Sequence, residues 1–120
     1  YNGINILLMG DATVNNEDIL MKRYNLPKID ILKVGHHGSR TSSSKLFIKD
    51  IEPKISLISS GKNNKYHLPN LDVIQRLKYY GSKVFDTQDN GELTINLDEE
   101  VYIVYRDNLN QKSLARESVS

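Results

Sequence analysis

The chain has 120 residues, 38% of them hydrophobic, which suits one domain with a modest core. Sixteen Lys+Arg against fifteen Asp+Glu give a net charge of +1, so no global field advertises nucleic acid or an acidic ligand, and neither is ruled out. There is no cysteine, which excludes disulfides, thiolate zinc sites and cysteine nucleophiles; any metal must be held by His, Asp, Glu or carbonyl oxygen.

Ile4 to Met9 is a nearly continuous apolar run rich in branched residues and reads as a buried strand. It ends in Gly10-Asp11-Ala12. Asn15 or Asn16 can cap a helix running to about Tyr24, with Glu17 and Asp18 in the first turn, where the helix dipole favours acids. Pro27 closes that unit. Ile29 to Val34 is a second strand, and "GHHGSRTSSS" follows it. Ser42, Ser43 and Ser44 offer N-caps for a helix to Ile51, with Leu46, Phe47 and Ile51 on one face. Pro53 stops it, and Ile55 to Ile58 is a third strand. The loop "SSGKNNKYHLPN" leads to Asn70, a cap for a helix from Leu71 to Tyr80, with Gly81 as its C′ residue. Val84-Phe85 is a short strand. "ELTINL" and "EEVYIVY" alternate with period two and read as an antiparallel hairpin. The stretch from Asp107 has few apolar residues and reads as a flexible tail, which divides the chain into a folded 1–106 and a loose 107–120.

Strand and helix alternate three times, which predicts an α/β fold with a largely parallel sheet and crossover helices. In such sheets chemistry gathers beyond the carboxyl ends of the strands. The unusual polar loops, at Asp11, at His36-His37 and at Lys62 to His67, all lie at that end. No apolar run approaches the roughly 18–20 residues that span a bilayer, and no signal peptide opens the chain. The chain starts without methionine, close to a strand, and is read as beginning inside a longer protein.

Two of the three histidines are adjacent, His36 and His37. Neighbouring residues beyond a strand point in different directions, so one can ligate a cation while the other meets substrate or carries a proton. Gly35 and Gly38 let backbone approach an anion or metal. Ser39 and Thr41 add hydroxyls, and Arg40 adds a fork for phosphate. The plain alternative is a loop of solvated histidines. Asp11 is either a turn or cap residue or a ligand at a strand tip. Lys62, Asn63, Asn64, Lys65 and Tyr66 form a donor-rich loop that either binds phosphates or is a surface turn. Asp11, His36, His37 and His67 make a sparse donor set for one metal and a thin one for two.

"LLMGDA", "DILKVGHHGSRTSSS", "ISLISSGKNNKY" and "VIQRLKYYGSKVFDT", in this order, resemble the C-terminal metallo-β-lactamase-like domain of the ComEC competence proteins of DNA uptake, over roughly residues 4 to 97. The resemblance implies part of an αββα sandwich, mostly parallel strands with crossover helices plus the C-terminal hairpin, with the active site along its rim. The usual domain begins with an H-x-H-x-D-H-like loop that this chain lacks, so the chain resembles the second half of that domain. Asp11 matches a bridging carboxylate, and His36 and His37 match a double-histidine motif lining the metal centre, with His37 preferred as the ligand and His36, with Ser39, for catalysis. Family members read N-x-Y-G-H-P after the third strand; here Leu68 holds the histidine position and His67 stands one residue early. Either His67 substitutes as the ligand or one ligand is lost.

The resemblance further implies a divalent metal, zinc or manganese, in the intact domain, and a metal-dependent phosphodiesterase acting on the DNA strand that is not imported. Arg40, Lys62, Asn63 and Asn64 would meet the phosphate backbone. It implies a soluble, extracytoplasmic domain of a bacterial membrane protein, partnered by DNA and by the rest of that protein. Two other readings stay open: a hydrolase of another small ester or phosphodiester, and a degenerate domain that binds DNA or a partner without turnover. Taken alone, the chain is expected to lack activity, and its open sheet edge is expected to favour a homodimer.

Overall fold

The structure is a computed structural model that describes residues 3–61, 68–97, 101–107 and 110–119. Strands β1 (Ile6–Leu8), β2 (Ile31–Lys33), β3 (Ile55–Ile58) and β4 (Lys83–Asp86) form a parallel sheet in that spatial order. Helices α1 (Val14–Arg23), α2 (Lys45–Ile51) and α3 (Leu71–Tyr79) make the three crossovers. A helical turn, α4 (Thr87–Asn90), leads to an antiparallel sheet of β5 (Thr94–Asn96), β6 (Tyr102–Asp107) and β7 (Asn110–Ser118).

Side-chain alternation along the strands builds two cores, one on each face of the parallel sheet. Leu32 and Ile58 face the helices and pack with Phe47, Ile48, Ile51, Val73 and Leu77. Ile31, Ile55 and Phe85 face the other way, onto Ile103 of β6 and Val119. The order is therefore helix layer, parallel sheet, antiparallel sheet, and it gives the expected α/β fold with its C-terminal hairpin. Each of these large apolar side chains contributes about 1.5–3 kcal/mol when fully buried. Among the described residues no helix is long and apolar enough to cross a membrane.

Local sequence explains the ends of the helices. The Ser44 side chain accepts from Phe47 N at the start of α2, and Asn70 accepts from Asp72 N at the start of α3. Gly81, with φ +88°, follows the last turn of α3 in the left-handed region that an L side chain resists. The first helix departs from expectation. Its N-cap is Thr13, and Asn16 reaches back to accept the Thr13 N–H at 2.9 Å. Asn16 is thus the reciprocal half of a capping pair.

A strand also stands where a loose tail was expected. β7 pairs with β6 over most of its length, with Ala115 opposite Tyr105 and Arg116 opposite Val104. Its sequence is polar, but one face of an antiparallel sheet can stay in water, and backbone pairing then needs few apolar side chains. Val119, just beyond it, is buried and closes the second core.

Candidate functional site

The carboxyl ends of β1, β2 and β3 meet at the turn Gly35–Gly38. Both histidines there adopt the left-handed region, His36 at φ 50° and ψ 41° and His37 at φ 54° and ψ 28°. For residues with a Cβ this costs roughly 1–2 kcal/mol each. Backbone preference alone would put Gly or Asn at both positions, so the imidazoles are held there against local preference.

Hydrogen bonds from each neighbouring strand end hold the turn. His36 N donates to Gly10 O at 2.7 Å, tying it to the loop after β1. Asn70 N donates to Gly38 O at 2.9 Å, tying it to the start of α3. Ser42 Oγ lies 2.9 Å from the carbonyl oxygens of both Gly35 and Ser39 and pins the base of the loop. The two glycines are required by contact. A Cβ on Gly35 would stand 2.9 Å from Ala12 O, and one on Gly38 would stand 2.6 Å from Pro69 Cβ.

The rings diverge. His37 Nδ1 lies 2.6 Å from Ser59 O at the end of β3. A carbonyl only accepts, so Nδ1 carries the proton and Nε2 is the ring nitrogen left for another partner. Imidazoles that bind metals are held in this way, one nitrogen donating to a carbonyl and the other ligating. His36 Nδ1 instead meets Thr41 Oγ1 at 3.1 Å, and Thr41 Oγ1 meets Ser39 Oγ at 3.0 Å. His36, Ser39, Arg40, Leu68 and Asn70 line an open cleft of about 460 Å³.

Of the residues singled out from sequence, His36, Ser39 and Arg40 therefore share one cleft wall, while His37 is anchored to the next strand end. Asp11 is exposed beside Gly10, the residue whose carbonyl holds His36. Lys62, Asn63, Asn64 and His67 lie outside the described residues. Among the described residues no three His, Asp or Glu side chains stand close enough to hold a metal ion. What speaks for a metal is the tautomer of His37, with Asp11 on the loop that adjoins its turn.

Sequence reading passed over a clamp one strand further along. Asp86, buried at the end of β4, accepts from Ser60 Oγ at 2.6 Å, and Thr87 exchanges two hydrogen bonds with the Ser60 backbone at 2.8 and 2.9 Å. This clamp fixes the segment that presents Ser59 O to His37. The available signal was the polar pair Asp86-Thr87 directly after the fourth strand, at the same rim as the other loops.

Comparisons with known proteins find relatives among competence proteins. Recombination protein 2 of Haemophilus influenzae is 42% identical over 91 residues, which is 76% of this chain. ComE operon protein 3 of Bacillus subtilis is 41% identical over 91 residues, and competence protein ComA of Neisseria gonorrhoeae 36% over 97. The chain is a relative of the competence proteins. It spans only 11%, 12% and 14% of those three, respectively, so the likeness is to a segment of a competence protein. No protein-family profile matches the chain.

Proposed function

We propose that this competence-protein segment belongs to a metallo-β-lactamase-like domain that cleaves phosphodiester bonds of DNA with a divalent metal. One observation carries the reading: a strained double-histidine turn, bonded to the ends of β1 and β3 and to the start of α3, holds His37 by Nδ1, so that Nε2 remains for a ligand, and places His36 in the lining of a cleft. The relatives' names, recombination and competence, support DNA as the polymer.

In this reading His37, Asp11 and, outside the described residues, His67 would hold the metal, with further donors from the remainder of a larger domain. When bound, a divalent ion supplies an activated hydroxide and neutralises phosphoryl charge. His36, held by Thr41, is positioned to take or give a proton at the cleft wall. Arg40 offers a two-pronged donor to phosphate oxygens, and Ser39 adds a hydroxyl beside it.

A second reading, binding without turnover, is favoured by Leu68. This apolar side chain lines the cleft at the position where the resemblance expects a histidine. One experiment separates the two. The complete reading frame that encodes this chain is assayed on single- and double-stranded DNA with Mn²⁺ or Zn²⁺, beside His37→Ala. Metal-dependent cleavage that disappears in the variant supports the nuclease. DNA binding without cleavage in either protein supports the second reading.

A further inference from the structure

A second groove lies along α3. Lys45, Asp72, Gln75, Arg76, Tyr79 and Tyr80 line about 410 Å³ between the N-terminus of α2 and the outer side of α3. At 100° per residue Gln75, Tyr79, Asp72 and Arg76 form one contiguous stripe of α3 beside the buried Val73 and Leu77, and Tyr80, its C-cap, adjoins the core. The two clefts have no lining residue in common, but neighbouring stretches of chain line both. Ser39 and Arg40 line the first and Lys45 the second, and Asn70, the N-cap of α3, lines the first while Asp72 to Tyr80 line the second. Arg76 Nη1 donates to Ser43 O at 2.6 Å and bridges the walls, which fixes its guanidinium at the floor.

The chemistry of this groove suits a strand with bases and phosphates. Tyr79 is 81% exposed, and its ring meets the Tyr80 ring edge-on at 5.0 Å between centroids. An exposed aromatic held by a second ring offers a rigid face for stacking. Among the described residues no ion pair occupies Arg40, Lys45 or Arg76. Among the described residues that line the two grooves, three cations face one carboxylate, Asp72.

We propose that the α2–α3 groove is a binding track for single-stranded DNA that leads into the cleft at His36. Tyr79 stacks on a base, while Lys45 and Arg76 meet the phosphates. Asp72 weakens the grip. A duplex cannot use the track, because a paired base does not offer its face to Tyr79. The proposal rests on the DNA reading above and extends it with a path and a strand preference.

The test is fluorescence anisotropy of a labelled oligothymidylate of about 12 nucleotides, within the usual site size of such surfaces, on the complete reading frame. Tyr79→Ala is expected to weaken binding about tenfold, and Tyr79→Phe to leave it near the parent value. Lys45→Glu weakens it and flattens the salt dependence by about one contact. Asp72→Asn tightens it. Circular dichroism checks folding, which substitutions at such exposed positions leave intact. Oligothymidylate affinity unchanged in both Tyr79→Ala and Lys45→Glu overturns the track, as does an equal loss for a duplex of the same length. Hydrolysis of bis(p-nitrophenyl) phosphate, too small to reach Tyr79, keeps the two proposals apart. Its absence in the parent protein counts against the nuclease alone, while the anisotropy still decides the track.

Discussion

The Glu17 carboxylate accepts the backbone N–H of Ser44 at 2.9 Å, across 27 residues of chain, and its other oxygen accepts from Ser43 N. Glu17 is 1% exposed, so a charged side chain from α1 is buried against the start of α2. The contact places a negative charge where the α2 dipole favours it and ends the loop that began at His36. Glu17→Ala leaves two backbone donors short of a partner and is expected to cost about 3 kcal/mol. Glu17→Gln has one acceptor for two donors and is expected to lose nearly as much. Urea denaturation of the variants measures both, and a loss below about 1 kcal/mol in each would show that solvent replaces the carboxylate.

Much of this architecture was legible in the sequence because local chemistry and global topology agree. Ser44 and Asn70 are strong caps followed by apolar periodicity, and Gly81 stands where a left-handed residue ends α3. The meeting of the Gly10-Asp11 loop with the His36-His37 turn at one rim followed from strand–helix alternation. Long-range polar partners were illegible. Nothing local to Glu17 says that it leaves its own helix for Ser43 and Ser44, and nothing local to Asp86 names Ser60. The left-handed His36 and His37 were hidden for a related reason: the bonds that force them come from Gly10, Ser59 and Asn70 on other segments. β7 was missed because pairing to β6, rather than its own side chains, makes it a strand.

Gly38 is the tightest point of the site. Its φ is +77°, and an added Cβ would meet both Pro69 Cβ at 2.6 Å and Pro69 Cα at 3.3 Å. Gly38→Ala therefore combines backbone strain with a clash against a ring that cannot rotate away. A loss of about 2–3 kcal/mol is expected on thermal or chemical denaturation. The same substitution at Gly61, where a Cβ meets nothing within 4 Å, serves as the control and is expected to stay within about 0.5 kcal/mol. Equal effects at the two positions would mean that the close approach to Pro69 does not exist in solution.

The two imidazoles should fail differently. Asn tolerates the left-handed region, so His36→Asn and His37→Asn keep the turn while removing the ring. His37→Asn is expected to lower Zn²⁺ or Mn²⁺ affinity of the complete reading frame by at least about tenfold, read by titration calorimetry. His36→Asn is expected to keep metal uptake and to lower phosphodiester turnover about a hundredfold, the usual scale for a lost proton carrier. Both variants should stay within about 1 kcal/mol of the parent in stability, since relief of strain offsets one lost hydrogen bond. The reverse pattern, with metal lost in His36→Asn and kept in His37→Asn, exchanges the roles.

β1 is an edge strand of the parallel sheet. β1 pairs with β2 on one side, and Leu7 turns into the helix-side core. Ile6 and Leu8 therefore point to the opposite face, where they are 37% and 73% exposed. An unpaired strand edge beside an apolar face is a template for another strand, and a second copy of the chain can supply its own β1 about a twofold axis. The 120-residue chain is expected to dimerise at high concentration in light scattering. Ile6→Lys with Leu8→Lys should return it to monomer without unfolding, because neither side chain belongs to a core. A parent chain that stays monomeric, or a double variant that still dimerises, would place the contact elsewhere or remove it.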